Sequence, residues 1–305
     1  MSAGEPQHKG IASELGLLLL LATAWGASYT SLKVAVATIP PVTLIAGRTL
    51  IAGLLLVVIM RWRGVKMPLD AANWRRFVFQ ACLNSVIPWV MVAWGAQALD
   101  AGVATILNST APIFTFFLTF AVTRHEPVTS RKLIGVIAGM TGICLIVGVQ
   151  ALGGLGQQLF AQIVCVAAAV CYAGAAIFGR NFKGLEPMAP AAGSLLCGAA
   201  ILIPLSLAVD RPWTLAPSLH SLLALLAIAI FSTALAFVIY FRLIQTLGSV
   251  GATAQAYLRV PIGVAFGVIF LGEHPSPTVW IGLACVVVGV AAMTIPARNT
   301  KPAAV

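Results

Sequence analysis

Acidic side chains are scarce in this sequence. Its 305 residues include eight Asp and Glu, and all charged types together make up 9%. A soluble domain devotes about a quarter of its residues to charge, so a water-soluble fold of this length is excluded. Polar linkers are missing too: apolar runs recur along the whole chain with short polar breaks, which leaves no attached soluble domain. The eight acids (Glu5, Glu14, Asp70, Asp100, Glu126, Glu186, Asp210, Glu273) and the four histidines (His8, His125, His220, His274) fall in tails, loops or the ends of predicted helices. Without a carboxylate, imidazole or metal-ligating set at mid-membrane depth, enzyme chemistry is unsupported, and no metal or cofactor is expected. The six cysteines (Cys82, Cys144, Cys165, Cys171, Cys197, Cys285) all lie inside apolar segments. They show no metal spacing and staple no loop, so they read as small packing residues.

What is abundant is apolar surface: 60% of residues are hydrophobic and the mean hydropathy is +1.00. That surface has to face lipid. A bilayer core about 30 Å thick takes roughly 20 helical residues per span. Ten spans can be drawn, at about 13–36, 41–61, 75–98, 102–122, 130–149, 156–178, 189–208, 219–243, 250–271 and 277–295. The breaks carry turn chemistry: Pro40-Pro41, Gly153-Gly154, Pro187 to Pro190, Pro212 to Pro217, and Pro275 with Pro277. Leu15 to Leu21 followed by Ala22-Thr23-Ala24 resembles a cleavable signal peptide. Glu14 flanks that run and the helical pattern continues through Trp25 to about Val36, so it is expected to remain as the first helix.

The net charge of +10 does not point to nucleic acid, because the basic residues are scattered between apolar runs. It is an orientation signal. With the N-terminus in the cytoplasm, fourteen of the 18 Lys and Arg lie in inner segments, and only Arg211 lies outside. Lys33, Arg48 and Arg259 fall within spans. The bias supports the span count and places both termini in the cytoplasm, across a bacterial-type inner membrane. Trp62 and Trp74 beside inner arginines, and Trp213 outside, suit an interfacial belt.

The chain also repeats itself. Glu126, Ile134-Gly135 and Gly142 recur 147 residues later as Glu273, Ile281-Gly282 and Gly289. Two five-helix halves are expected, over about 10–150 and 155–298. Five is odd, so the halves insert upside down relative to each other. Arg124, Arg131 and Lys132 surround the first Glu, whereas Gly272 to Thr278 holds no Lys or Arg. A repeated motif with inverted charge marks an inverted-topology repeat, with a site near the midplane between the halves. The expected fold is all-α and integral to the membrane: ten helices in two inverted five-helix repeats around a central cavity.

Several short motifs then fall into one order. They are Trp25-Gly26 in the first span, Pro40-Pro41 and Arg48 opening the second, Pro112 with Glu126, Tyr240-Phe241-Arg242 ending the eighth, and Pro261 with Gly272-Glu273. In this order and placement they resemble the EamA branch of the drug/metabolite transporter superfamily, over essentially the whole chain. The resemblance implies the ten-helix inverted-repeat fold with a central cavity. It also implies export of amino acids or other small metabolites, and amino-acid exporters, including those for aromatic amino acids, are the best match. Arg259 stands where that family pattern is usually apolar, a departure that bears on substrate choice.

A charge at the bilayer centre costs about 2.5–3.5 kcal/mol on insertion scales, so intramembrane cations come first among candidate site residues. Arg259, nine or ten residues into the ninth span, can hold a substrate carboxylate from the cavity, or it can be an internal cation bonded to helix-end carbonyls. Arg48 and Lys33 lie close enough to a span end to snorkel outward and read as structural or rim residues. Uncharged polar residues form stripes. Thr105, Asn108, Pro112, Thr115 and Thr119 share one helix face, as do Gln80, Asn84 and Pro88. Trp25 and Ser28, Tyr172, Thr233 and Tyr240, and Gln255 with Tyr257 add polar atoms from other spans. Of these, Trp25, Ser28, Gln80, Asn84, Asn108, Tyr172, Tyr240, Gln255 and Arg259 are the candidate substrate-binding set. Pro88, Pro112 and Pro261 are candidate hinges, since each frees a backbone carbonyl. Polar stripes also serve interhelical hydrogen bonding, and the small-residue pairs Gly135/Gly139 and Gly263/Gly267 allow close helix contact within a monomer rather than a dimer. Glu126 and Glu273 suit the N-termini of the helices that follow them. The functional expectation is an exporter or facilitator of small polar or amphipathic metabolites, amino acids foremost, working by alternating access. A multidrug or nucleotide-sugar carrier of the same fold is the alternative, and the partners are a small-molecule substrate and the lipid bilayer.

Overall fold

Inside a bilayer no water is available to satisfy backbone N–H and C=O groups, so a chain this apolar resolves itself into helices that close their own hydrogen bonds. The computed structural model describes residues 6–95, 99, 101–123, 129–148, 155, 158–271 and 276–295. Among them no residue is in a β-strand. The helices are α1 (Pro6–Val36), α2 (Pro41–Trp62), α3 (Ala71–Ala81), α4 (Ile87–Gly95), α5 (Ala101–Asn108), α6 (Ala111–Leu118), α7 (Ser130–Val147), α8 (Leu159–Phe178), α9 (Met188–Val209), α10 (Leu219–Ala229), α11 (Ala236–Thr253), α12 (Gln255–Leu271) and α13 (Pro277–Thr294). Turns of π-helix join α3 to α4 (Cys82–Val86), follow α6 (Thr119–Thr123) and join α10 to α11 (Ile230–Leu235). Glu126, Glu273, Gly153-Gly154 and Pro275 lie outside the described residues.

Eight stretches are long and apolar enough to cross a membrane: Gly10–Ser28, Pro41–Trp62, Thr105–Val122, Ser130–Val147, Leu159–Phe182, Met188–Val209, Leu219–Thr253 and Pro277–Thr294. The expected spans 75–98 and 250–271 fall below that measure. The first is α3–α4, which opens on Asn73, Trp74, Arg75 and Arg76; the second is α12, only 17 residues long. The eighth and ninth spans run together because helical turns continue on both sides of Gly248, whose φ of 77° breaks α11. That left-handed value is one a glycine adopts without steric cost.

Two seams hold the bundle together. A Cβ on Gly135 would come 2.7 Å from the Gly289 carbonyl oxygen, and one on Gly142 would come 2.6 Å from that of Gly282. Only glycine permits this approach of α7 to α13. The expected close contact around Gly135 is therefore made within the chain. As the residue number rises along α7, that of its partner falls along α13, so the two helices are antiparallel. The α2–α9 seam has the same sense, with Thr43 bonded to Asp210 at one end and Gly53 against Leu196 further along. In each seam the helices are counterparts in the two halves, about 147 residues apart. Counterparts that run antiparallel mean that the halves are inverted. The halves are also interleaved: α1 packs on α10, α11 and α12, while α8 packs on α4, α5 and α6.

Caps fix the helix ends. Asp70 accepts from the Asn73 backbone N–H, Thr129 from that of Lys132 and Ser218 from that of Ser221. The Asn73 N–H is the main cause that holds the Asp70 carboxyl below its ordinary range. At the start of α2, Pro40 supplies no cap of its own. Asp210, at the end of α9, accepts instead from Thr43 N (2.7 Å) and Thr43 Oγ1 (2.8 Å). One carboxylate thus satisfies a helix N-terminus and ties the two halves.

Candidate functional site

Five elements converge on a row of aromatic rings. Trp25 of α1 lies 5.6 Å from Tyr240 and 6.4 Å from Phe237, both on α11, and Phe237 lies 6.2 Å from Trp89 on α4, between ring centroids. A guanidinium caps each end. That of Arg259, from α12, sits 4.8 Å over the Trp25 ring, and that of Arg48, from α2, sits 3.9 Å over the Trp89 ring. These are cation–π distances, and in a desolvated setting such a contact is worth about 2 kcal/mol or more.

Hydrogen bonds fix the row. Trp25 Nε1 donates to the Ser232 carbonyl (3.0 Å), and Ser232 Oγ donates back to the Ala24 carbonyl (2.7 Å). Arg48 Nε donates to Thr233 Oγ1 (3.1 Å), and Arg259 Nε to Gln255 Oε1 (2.8 Å). Ser232 and Thr233 stand on the π turn Ile230–Leu235, where the widened helix leaves carbonyl groups for partners from other helices. Tyr240 is buried (3% exposed), and Tyr172 and Arg259 both lie within electrostatic range of it.

The structure therefore brings together Trp25, Tyr172, Tyr240, Gln255 and Arg259 from the expected set. Gln80 and Asn84 stand beside this group on the facing helix. Gln80 Nε2 donates to the Ala175 carbonyl of α8 (3.2 Å). With α3 and α8 antiparallel, the residue one turn further on, Asn84, lies level with Cys171 and Tyr172. Asn84 is 5% exposed, and its Nδ2, the Gln80 Oε1 and the Ser85 Oγ are buried without hydrogen-bond partners among the described residues. Asn108 is half-buried at the end of α5 and has no contact that joins it to the aromatic row. Ser28 donates to the Trp25 carbonyl within its own helix (2.7 Å).

Several expectations are corrected. Arg48 does not snorkel outward; it turns in to Thr233 and Trp89, because an indole face and a hydroxyl are nearer than the aqueous rim. Tyr257 is fully buried in the notch left by Gly139 and donates to the Val136 carbonyl (3.1 Å), so it braces α12 on α7. Thr115 bonds back to the Ala111 carbonyl of its own helix. Helix 1 begins at Pro6, which carries Glu14 more than two turns inside it. There Glu14 Oε1 pairs with Arg242 (2.7 Å) and Oε2 accepts from Thr246 (2.8 Å).

The prolines sit at helix interruptions. Pro88 follows the π turn Cys82–Val86, and Pro112 opens α6 after a break at Ser109–Thr110. Pro261 lies inside α12. At Pro88 and Pro261 the missing N–H removes an intrahelical bond, whereas Pro112 stands in the first turn of α6, where that N–H has no helical acceptor.

Trp89, Ser232, Thr233 and Phe237 were not among the expected site residues. An offset signal exists for them. Shifting by 148 pairs Asn84 with Ser232, Ser85 with Thr233 and Trp89 with Phe237, and shifting by 147 pairs Trp25 with Tyr172 and Asn108 with Gln255. The π turns at 82–86 and 230–235 obey the same shift.

Comparison with known proteins now bears on this geometry. The model of the EamA-like transporter family matches residues 12–148 and again 159–295. The chain belongs to the EamA-like transporter family. "Uncharacterized inner membrane transporter YedA" of Escherichia coli K12 is 26% identical over 92% of this chain and 90% of its own length. "Uncharacterized transporter YoaV" of Bacillus subtilis is 23% identical, over 87% and 91%. A "probable terminal-alkyne amino-acid exporter" of Streptantibioticus cattleyicolor is 24% identical over 90% of each chain. A solved crystal structure superposes with a TM-score of 0.77 at 18% identity, covering 92% of this chain and 97% of that one, which establishes the shared fold. This EamA-like chain is a membrane transporter built from two repeats, and its substrate is a small molecule.

Proposed function

We propose that the protein exports or facilitates the movement of amino acids or closely related metabolites across a bacterial-type inner membrane, by alternating access between its two halves. One observation carries this reading. Trp25, Tyr240 and Arg259 come from three helices and enclose a cation and aromatic faces at the contact of α1 with α11 and α12, where two interleaved halves rock against each other. An amino acid offers a carboxylate to such a cation and an apolar body to such rings. The amide of Asn84 and the hydroxyl of Tyr172 line the approach, Gln80 and Asn108 extend it, and Gln255 holds Arg259 in place. Ser28 stiffens the Trp25 turn. Pro88, Pro112 and Pro261 act as hinges. Both termini face the cytoplasm, and the functional unit is the monomer.

The relatives' names fit a transporter rather than an enzyme, and one of them is named as a probable amino-acid exporter. The test is a panel of labelled amino acids, sugars and cationic dyes offered to the purified protein in proteoliposomes. Saturable amino-acid movement that is lost in Arg259→Gln supports the reading. Saturable movement of the dyes or sugars alone makes it a carrier of a different class.

A further inference from the structure

We infer that the transported species carries net negative charge, as a carboxylate without a compensating ammonium, and that Arg259 sets this preference. The inference rests on the reading of the Trp25–Tyr240–Arg259 cluster as the substrate site; within that reading it favours the closely related metabolites, acids without a free ammonium, over the amino acids themselves.

The first argument is a census of donors and acceptors. In this cluster the nearby acceptors each already hold one donor: Gln255 Oε1 holds Arg259, the Ser232 carbonyl holds Trp25 and Thr233 Oγ1 holds Arg48. The donors are not all engaged. Arg259 uses only its Nε, and among the described residues no acid and no hydrogen bond engages its two terminal amino groups. On the facing helix the amide Nδ2 of Asn84, 5% exposed, has no partner among the described residues either. A buried donor without a partner is unfavourable, so such a face selects a ligand rich in acceptors. A carboxylate is that ligand. An ammonium brings three more donors to a place where Gln80 Oε1, one turn away from Asn84, is the buried acceptor left unused.

The second argument is charge. The Arg259 guanidinium brings a positive charge to the face of Trp25. A monoanion offsets the Arg259 charge, whereas a zwitterion, whose own charges cancel, leaves the net positive charge of the row undiminished inside a low-dielectric bundle. Occlusion between the halves, the step that removes remaining water, therefore favours the anion.

The experiment uses the full chain in proteoliposomes and three probes with the same ring: N-acetylphenylalanine (anion), phenylalanine (zwitterion) and phenylalanine amide (cation). Initial rates are read with and without a potassium–valinomycin potential, and binding is read separately by thermal shift. The expected result is at least about a tenfold advantage for the acetylated probe in rate and binding over phenylalanine. Its uptake accelerates when the lumen is positive, and the amide is not carried. In Arg259→Gln the advantage disappears, and in Arg259→Lys, which keeps the charge, it survives. Equal or faster phenylalanine transport without potential dependence overturns the inference; if Arg259→Gln then abolishes that transport, the site itself still stands. An advantage for the anion that persists in Arg259→Gln, or failure of all three probes to bind, also overturns it.

Discussion

Glycines and amides carry opposite kinds of information in this chain. At Gly139 a Cβ would come 2.3 Å from the ring of Tyr257, which is fully buried and bonded to Val136, so the ring has nowhere to go. Gly139→Ala is expected to destabilise the protein by about 1–3 kcal/mol through overpacking. Gly174→Ala, where the new methyl meets Leu83 at 3.6 Å, should be nearly neutral. Melting of the two purified variants side by side in detergent checks the contrast, and equal melting temperatures would remove the packing role assigned to Gly139. Asn84 and Asn108 belong to the other class. Their replacement by Ala should impair transport while expression and monodispersity stay near wild type, because Asn84 Nδ2 has no structural bond to lose and Asn108 is only half-buried at the end of α5. Normal transport in both variants would turn the polar stripes of α3 and α5 into packing features. The glycine spacing was legible in the sequence. The role of Tyr257 was not, because a tyrosine in a polar stripe and a tyrosine filling a glycine notch look alike until the partner helix is placed.

At the scale of elements, the sequence locates helices well and their interruptions poorly. Prolines announce where a bond is lost, but not that a π turn absorbs the loss before Pro88 or that Ile230–Leu235 does so without any proline. Helix 1 shows the consequence of a boundary error. Extending it back to Pro6 moves Glu14 from a helix end into a buried pairing with Arg242 and Thr246, which joins α1 to α11. A carrier driven by protons needs a carboxylate or imidazole on its path; among the described residues none joins the aromatic row, and both oxygens of Glu14 are held by Arg242 and Thr246. Downhill transport, insensitive to an imposed pH gradient apart from substrate ionisation, is therefore expected in proteoliposomes. Glu14→Gln should keep that behaviour, while loosening the α1–α11 contact. Uphill accumulation driven by a pH gradient and abolished in Glu14→Gln would reverse this view and make Glu14 the coupling residue.

For the whole molecule, the antiparallel seams of counterpart helices establish inversion of the halves, and the fourteen-to-one distribution of cations predicts a cytoplasmic N-terminus. Cysteines introduced near Arg63, Lys132 or Lys183 should be labelled from the cytoplasmic side alone, and those near Gln150 or Ser276 from outside alone. Labelling of a cysteine at Ser276 from the cytoplasm would contradict the orientation.

The sequence by itself determined the class of this protein, because 60% hydrophobic residues with 9% charge have one physical solution in water and lipid. It determined the repeat, since a 147-residue recurrence of Glu, Gly and Ile survives in linear order, and it nominated Trp25, Tyr240, Gln255 and Arg259 from their chemistry. Only the tertiary structure decided which of the polar residues meet. Hydropathy records that a side chain lies in the membrane and periodicity records its face, yet neither records the rotation of one helix against the next. That rotation puts Arg48 over Trp89 and Arg259 over Trp25, leaves the Asn84 amide buried without a partner among the described residues, and buries Tyr257 in a seam. The choice is made by close packing of helices far apart in the chain, from opposite halves for Arg259 with Trp25 and for Tyr257 with Val136, which no local stretch of sequence records.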